Sequence, residues 1–370
     1  MSAATEPPPS ATPPPSAPNA EAVSAPNATG PGVRPAWLAV ILVGLALLAA
    51  AGLAVAPRFR GSPAVPLQPT VAARGAPVVG VFVQPEDGRA PLLEEIAAAR
   101  ASVDVAVYLL SDDATIAALE AAVARGVPVR VLLEERPFGG AGNHVEIFER
   151  LRRAGVDARW GNPAFRFSHV KTVVVDRSVA VIMNQNLTAS AFSQNREINV
   201  VTTRPADVAQ AAAIFAADWE RAAEPPPGPL VVSPTNARSQ LLALIGGAER
   251  SLDVYAEVVR DPEFVAALAE AAARGVDVRL VMSPGEERQL VELRQLAAAG
   301  VAVRLVGSPY IHAKLFLVDG ERAFVGSQNM TATSLDQNRE LGLIVEEPGA
   351  LERIGRVFAD DFGRGQAVSP

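Results

Sequence analysis

His169 and Lys171 stand two residues apart with Asp176 five residues further on, and the same arrangement returns 143 residues later at His312, Lys314 and Asp319. Both copies read His-x-Lys-x4-Asp. Of the 33 basic side chains 31 are arginine, the two lysines are Lys171 and Lys314, and two of the three histidines are their neighbours. Background composition does not explain such placement. Taken singly, a histidine on a half-buried strand is ordinarily a core or edge residue, a lysine at a strand end is solvated surface, and a carboxylate at a turn is a cap. Those bland readings would have to coincide twice at one spacing.

The residue types suit attack on a phosphodiester. Neutral imidazole is a competent nucleophile near neutral pH, and a second, protonated imidazole can donate to the leaving oxygen. Each role needs a different protonation state, so the two histidines are expected to titrate apart as a coupled pair. Lys171, Lys314, Asn184, Asn186, Ser327 and Asn329 are the candidates to hold the nonbridging oxygens and to stabilise charge added in the transition state. Glu197 and Glu340 each follow their histidine by 28 residues. A carboxylate on the far ring nitrogen would fix the tautomer and raise basicity, and these two are the candidates. His144 opens a predicted helix outside both motifs and is given no role.

Strands must carry these groups. The residues after each histidine are β-branched or aliphatic, and residues two apart on a strand share a face, so each histidine points with its lysine. Asp176-Arg177-Ser178 and Asp319-Gly320-Glu321 are expected to turn tightly into outgoing strands at Val179–Met183 and Arg322–Val325. Those strands end in Asn184-Gln185-Asn186 and Ser327-Gln328-Asn329. Upstream, each motif is preceded by a strand, an alanine-rich helix, a glycine (Gly126 or Gly275) and another strand. The glycines are 149 residues apart and the histidines 143, so one unit is duplicated with about six residues fewer in the second copy, opposite Arg136–Asn143. Strands alternating with helices give an α/β fold with mixed sheets.

Around this duplication the chain divides further. Residues 1–36 are expected to be a disordered Pro/Ala-rich tail, residues 37–56 a transmembrane anchor, and residues 57–77 a linker. The halves are placed at 78–224 and 230–365, either side of the connector Pro225–Pro229. The 20 uncharged residues from Trp37 to Ala56 would span about 30 Å as a helix. The competing reading is a cleaved secretory signal ending at Ala54-Val55-Ala56. The long proline-rich leader, the length of the apolar run and Pro57 just after it favour the anchor. Flanking arginines leave the side of the membrane open.

Composition narrows the partners. Hydrophobic residues are 49% and aromatic residues 5%, so the core is aliphatic. The net charge of −7 divides into +2 before Pro77 and −9 after it. Sequence-independent nucleic-acid binding rests on many Lys/Arg–phosphate contacts, which so acidic a domain disfavours. With no cysteine there is neither a disulfide framework, nor a thiolate metal site, nor a thiol nucleophile.

Together the two motifs resemble the phospholipase D superfamily, of the bacterial phospholipase D-like or cardiolipin synthase-like type, whose mark is two copies of His-x-Lys-x4-Asp-x6-Gly-Ser-x-Asn. The second copy matches throughout, at His312, Lys314, Asp319, Gly326, Ser327 and Asn329. The first matches at His169, Lys171, Asp176 and Asn186 but has Met183-Asn184 in place of Gly-Ser. The similarity covers about residues 78–365. It implies two α-β-α sandwich halves related by a pseudo-twofold axis, with both motifs in one pocket. It implies a metal-independent, cofactor-free reaction in two steps through a phosphohistidine: His169 attacks, His312 protonates the leaving alcohol, and Lys171, Lys314, Asn186 and Asn329 hold the phosphate. Asp176 and Asp319 would be mainly structural and rank last among the catalytic candidates. The Met183-Asn184 departure is expected to alter affinity, because Asn184 can still donate.

The expected function is a membrane-anchored phosphodiesterase that hydrolyses a phospholipid or exchanges its head group, with phospholipid and membrane as partners. The alternatives are a cardiolipin synthase-type phosphatidyltransferase and an endonuclease, with a non-catalytic binding module last.

Overall fold

A computed structural model describes residues 78–138, 142–285 and 287–370. The expected tail, membrane span and linker at 1–36, 37–56 and 57–77 lie outside the described residues. Among the described residues no helix is long and apolar enough to cross a membrane.

The first half runs β1 (Val79–Gln84), α1 (Ala90–Ala98), β2 (Val103–Val107), α2 (Asp113–Ala124), β3 (Val129–Leu133), α3 (His144–Arg153) and β4 (Asp157–Trp160). It continues through β5 (Lys171–Val175), β6 (Val179–Met183), α4 (Ala189–Ser193), β7 (Asn195–Thr202) and α5 (Pro205–Glu220). Its sheet has the order β1-β7-β6-β5-β2-β3-β4. Helical crossovers make β2, β3 and β4 parallel, whereas the tight turn between β5 and β6 makes that pair antiparallel. The central turn residues Asp176 and Arg177 have φ of 52° and 50°, the left-handed geometry a tight hairpin turn demands.

The second half repeats this order. It comprises β8 (Val231–Ser233), α6 (Ala237–Gly246), β9 (Ser251–Tyr255), α7 (Pro262–Ala273), β10 (Asp277–Met282), α8 (Glu287–Ala298) and β11 (Ala302–Leu305). Then come β12 (Tyr310–Ile311), β13 (Leu315–Val318), β14 (Arg322–Gly326), α9 (Ala332–Asp336), β15 (Glu340–Val345), α10 (Pro348–Arg364) and β16 (Gln366–Ala367). Its sheet order β11-β10-β9-β13-β14-β15-β8 matches the first sheet read from β4 to β1, with β16 added at the edge. The duplicated mixed α/β architecture expected from the sequence is therefore present.

Local signals explain the elements. The Asp112 carboxylate caps α2 by accepting from Thr115 N–H, and Asp261 caps α7 by accepting from Glu263 and Phe264 N–H, with Pro262 in the first turn. Gly126 and Gly275 follow these helices at φ of 83° and 92°, which an L side chain rarely adopts. Each half has an outer apolar core between its sheet and its helices, around Val105, Leu119 and Leu133 in the first and Val254, Leu268 and Leu280 in the second. A third core is shared. It packs Val174, Ile182, Val200 and Trp219 of the first half with Leu315, Val325, Leu343 and Phe358 of the second, so neither half buries its inner sheet face alone.

Candidate active site

The site is assembled by strand exchange between the halves. β12 pairs in parallel with β7 of the first half, Ile311 opposite Arg196, and His312 N–H donates to the Arg196 carbonyl at 3.2 Å. That register lays His312 beside Glu197. Reciprocally, Ser168 bridges Arg339, and Arg339 N–H donates to the Phe167 carbonyl at 2.9 Å, which lays His169 beside Glu340. Each imidazole is thus bonded to the glutamate of the other half: His169 Nδ1 lies 2.9 Å from Glu340 Oε2, and His312 Nδ1 lies 2.8 Å from Glu197 Oε1. Both carboxylates are fully buried. Glu340 also accepts from Ser334 Oγ at 2.6 Å and Asn338 Nδ2 at 3.0 Å, and Glu197 accepts from Asn195 Nδ2 at 3.0 Å. With Nδ1 donating to a carboxylate, Nε2 is the nitrogen each ring turns to chemistry.

Burial decides the charge state of the first motif. It pushes His169 down to about 4 against the opposing pull of Glu340, so its imidazole is neutral at neutral pH and its Nε2 carries a lone pair. Burial also pushes Lys171 down to about 7, with Glu340 pulling upward and Lys314 downward. For Glu340, burial would raise its carboxyl, but His169 and Lys171 outweigh that and hold it below the usual range. Lys171 Nζ donates to the His169 carbonyl at 2.7 Å and Lys314 Nζ to the His312 carbonyl at 2.6 Å, so each lysine also braces the backbone of its histidine. Lys171, His169 and Lys314 sense one another's charge, and Lys171 also senses Glu197, Glu257 and Glu340: the two motifs occupy one pocket.

Several sequence candidates stand elsewhere. Asp176 and Asp319 leave the catalytic set, since they lie at the opposite strand ends from the histidines. Asp176 accepts from the N–H groups of Arg100, Ala101 and Ser102, and Asp319 from those of Glu249, Arg250 and Ser251. They tie the hairpin turns to the loops before β2 and β9. Asn184 is not a phosphate donor. It is fully buried, its amide donates to the carbonyls of Gly326 at 2.6 Å and Lys314 at 3.2 Å, and its Oδ1 accepts from Ile198 N–H at 2.8 Å. It pins the first half to the strand that carries Lys314. Ser327 is likewise fully buried, its hydroxyl bonded to the backbone of Leu341. Asn329 stays in the site, its Nδ2 3.2 Å from Glu257 Oε2, and Asn186 holds the twofold-related position. His144 stacks on Trp160 with ring centroids 6.2 Å apart.

The Met183-Asn184 departure is a packing exchange. A Cβ on Gly326 would come within 2.6 Å of Phe324 and 2.7 Å of Gly342 Cα. At the matching positions, 143 residues earlier, the first half has Val181 and Asn199, and Met183 fits in the outer core.

Four site residues escaped the sequence reading because they lie outside the motifs. Glu134 Oε2 accepts from Ser168 N–H at 2.7 Å, and Ser283 Oγ accepts from Ile311 N–H at 2.7 Å, so each fixes the strand that delivers a histidine. Tyr108 and Glu257 follow β2 and β9 at matching positions, as the bridges Leu110–Leu187 and Val259–Met330 show. The Tyr108 ring meets His169 edge-on at 4.6 Å, with Lys171 Nζ 5.2 Å from its centroid. Glu257 Oε2 lies 2.8 Å from Lys314 Nζ and 3.5 Å from His312 Nε2. The 149-residue offset between the halves was the signal that could have paired them. Among the described residues no group of three or more His, Asp or Glu is arranged to hold a metal ion.

Two duplicated α/β halves that exchange carboxylates around paired His-Lys motifs define a phospholipase D-type enzyme site. The family model described as cardiolipin synthase, PLD-like domain, matches residues 92–219 and 241–362, and the chain belongs to the phospholipase D superfamily, cardiolipin synthase-like type. It is 26% identical over 336 residues to cardiolipin synthase A of Erwinia tasmaniensis, covering 75% of this chain and 67% of that protein. It is 34% identical over 122 residues to cardiolipin synthase A of Pseudomonas aeruginosa, where the match spans 32% of this chain and 24% of the relative's length. Two solved structures share the fold. Phosphatidylserine synthase of Haemophilus influenzae has a TM-score of 0.60 at 12% identity, over 78% of this chain and 87% of its own. Polyphosphate kinase of Porphyromonas gingivalis has a TM-score of 0.61 at 18% identity, over 76% and 50%.

Proposed function

We propose that the chain transfers a phosphatidyl group between alcohols through a phosphohistidine on His169, as a cardiolipin synthase-type phosphatidyltransferase. The chemistry rests on the crossed His–Glu pairing, which gives each imidazole its own carboxylate beside two lysines. The choice of an alcohol over water as acceptor rests on the similarity to proteins named cardiolipin synthase, and it replaces hydrolysis as the leading reading. Neutral His169 attacks phosphorus with the Nε2 lone pair, the bond to the leaving alkoxide breaks, and His312 gives that oxygen a proton. In the second step His312 takes the proton of the acceptor alcohol, whose oxygen attacks phosphorus and releases His169. Lys171, Lys314, Asn186 and Asn329 offset the charge that builds on the nonbridging oxygens. The predicted span at 37–56 would keep the pocket near lipid.

The test is incubation of the full chain with phosphatidylglycerol vesicles. The expected products are cardiolipin and free glycerol, lost in His169→Ala and in His312→Ala. Phosphatidic acid as the sole product would make the enzyme a hydrolase, and cleavage of DNA without lipid turnover would sink both lipid readings.

A further inference from the structure

The twofold symmetry of the site breaks at one pair of positions. Where the first half turns the uncharged ring of Tyr108 to its His-Lys pair, the second half turns a carboxylate. Glu257 Oε2 engages three groups at once: Lys314 Nζ at 2.8 Å, Asn329 Nδ2 at 3.2 Å and His312 Nε2 at 3.5 Å. Those are the groups of the second motif that a phosphate oxygen needs. Burial alone would push the Glu257 carboxyl up, but His312 and Lys314 outweigh it and hold the group far below the usual carboxylate range. With it in place, two ammonium groups face three carboxylates, Glu197, Glu257 and Glu340, so the empty pocket offers an entering anion no net positive charge when the imidazoles are neutral.

We propose that Glu257 is a resident anion that occupies the phosphate-binding groups of the second motif until substrate displaces it, and so excludes small free oxyanions such as inorganic phosphate. A phosphodiester with an extended apolar body has binding energy to spend on that displacement; a free oxyanion has none. Once parted from Lys314 and His312, the buried carboxylate loses the groups that keep it ionised, so anion binding should take up a proton. This rests on the reading of the pocket as a phosphodiester site.

Sulfate binding to the full chain by titration calorimetry tests it, because sulfate keeps its charge across the neutral range and needs no turnover. Glu257→Gln should bind sulfate at least about tenfold tighter than the parent. Parent affinity should rise as pH falls, with a steeper slope than the variant shows by about one proton. Glu257→Ala, judged folded by its circular dichroism, should behave like Glu257→Gln. If folded variants bind sulfate no more tightly than the parent, Glu257 supports Lys314 instead of competing with substrate, and the proposal falls while the phosphodiester reading stands. If neither parent nor variant binds sulfate and lipid is not turned over, the phosphodiester reading falls and this inference with it.

Discussion

His169 and Glu340 carry the chemistry that a single residue change can probe. Glu340→Gln keeps the shape but can no longer hold the Nδ1 proton as an anion. Turnover is expected to fall about 10²–10⁴-fold with little change in melting temperature, and parental turnover in a folded variant would remove Glu340 from the mechanism. Titration gives a second test. The folded His169 titrates near 4, below the 6.5 of an unexposed-free imidazole, so the unfolded chain binds more protons between those values. Its contribution to stability is therefore complete above pH 6.5 and is lost as pH falls toward 4. Urea unfolding across that window should show stability falling with acid, with a shallower slope in His169→Gln.

At the scale of elements, the hairpin β5–β6 and its partner β13–β14 are held by groups the sequence presents as chemical. Asp176→Ala removes the acceptor for three backbone N–H groups. It should cost about 1–3 kcal/mol of stability and leave turnover per folded molecule intact; a loss of turnover without loss of stability would return Asp176 to the site. Gly326→Ala sets a Cβ 2.5 Å from Gln328 Oε1 and 2.7 Å from Gly342 Cα. Backbone does not yield easily there, so about 1–3 kcal/mol of destabilisation is expected from thermal melts. The motif's glycine is thus a packing requirement set by Phe324 and Gly342, and its absence at Met183 is no loss of phosphate contact.

The whole molecule is one cooperative unit because its halves share a core and exchange charges. Arg196 of β7 pairs with Asp361 of α10 at 2.6 Å, and Arg339 pairs with Asp218 of α5 at 3.0 Å, all four side chains being buried. These Arg residues immediately precede Glu197 and Glu340, so the dipeptide that joins the halves also crosses the carboxylates. Asp361→Ala would leave Arg196 buried without its carboxylate, at a cost of about 3–5 kcal/mol. In urea the halves should unfold in one transition, observed alike by tryptophan fluorescence in the first half and far-ultraviolet circular dichroism overall. Two resolved transitions would show that the shared core does not couple them.

Local pattern made much of this legible. Strand alternation, helix caps, Gly126 and Gly275 and the two offsets of 149 and 143 residues disclosed a duplicated mixed α/β fold, and composition singled out His169, Lys171, His312 and Lys314. Those signals depend on neighbours in the chain. Which glutamate meets which histidine does not: β12 pairing with β7, and Ser168 with Arg339, sends each carboxylate to the opposite half. Asn184 and Ser327 carry donors suited to phosphate, and only burial turned them into pins between strands. Tyr108 and Glu257 lie 61 and 55 residues before the histidines they face, a separation that a motif cannot span and that strand order closes.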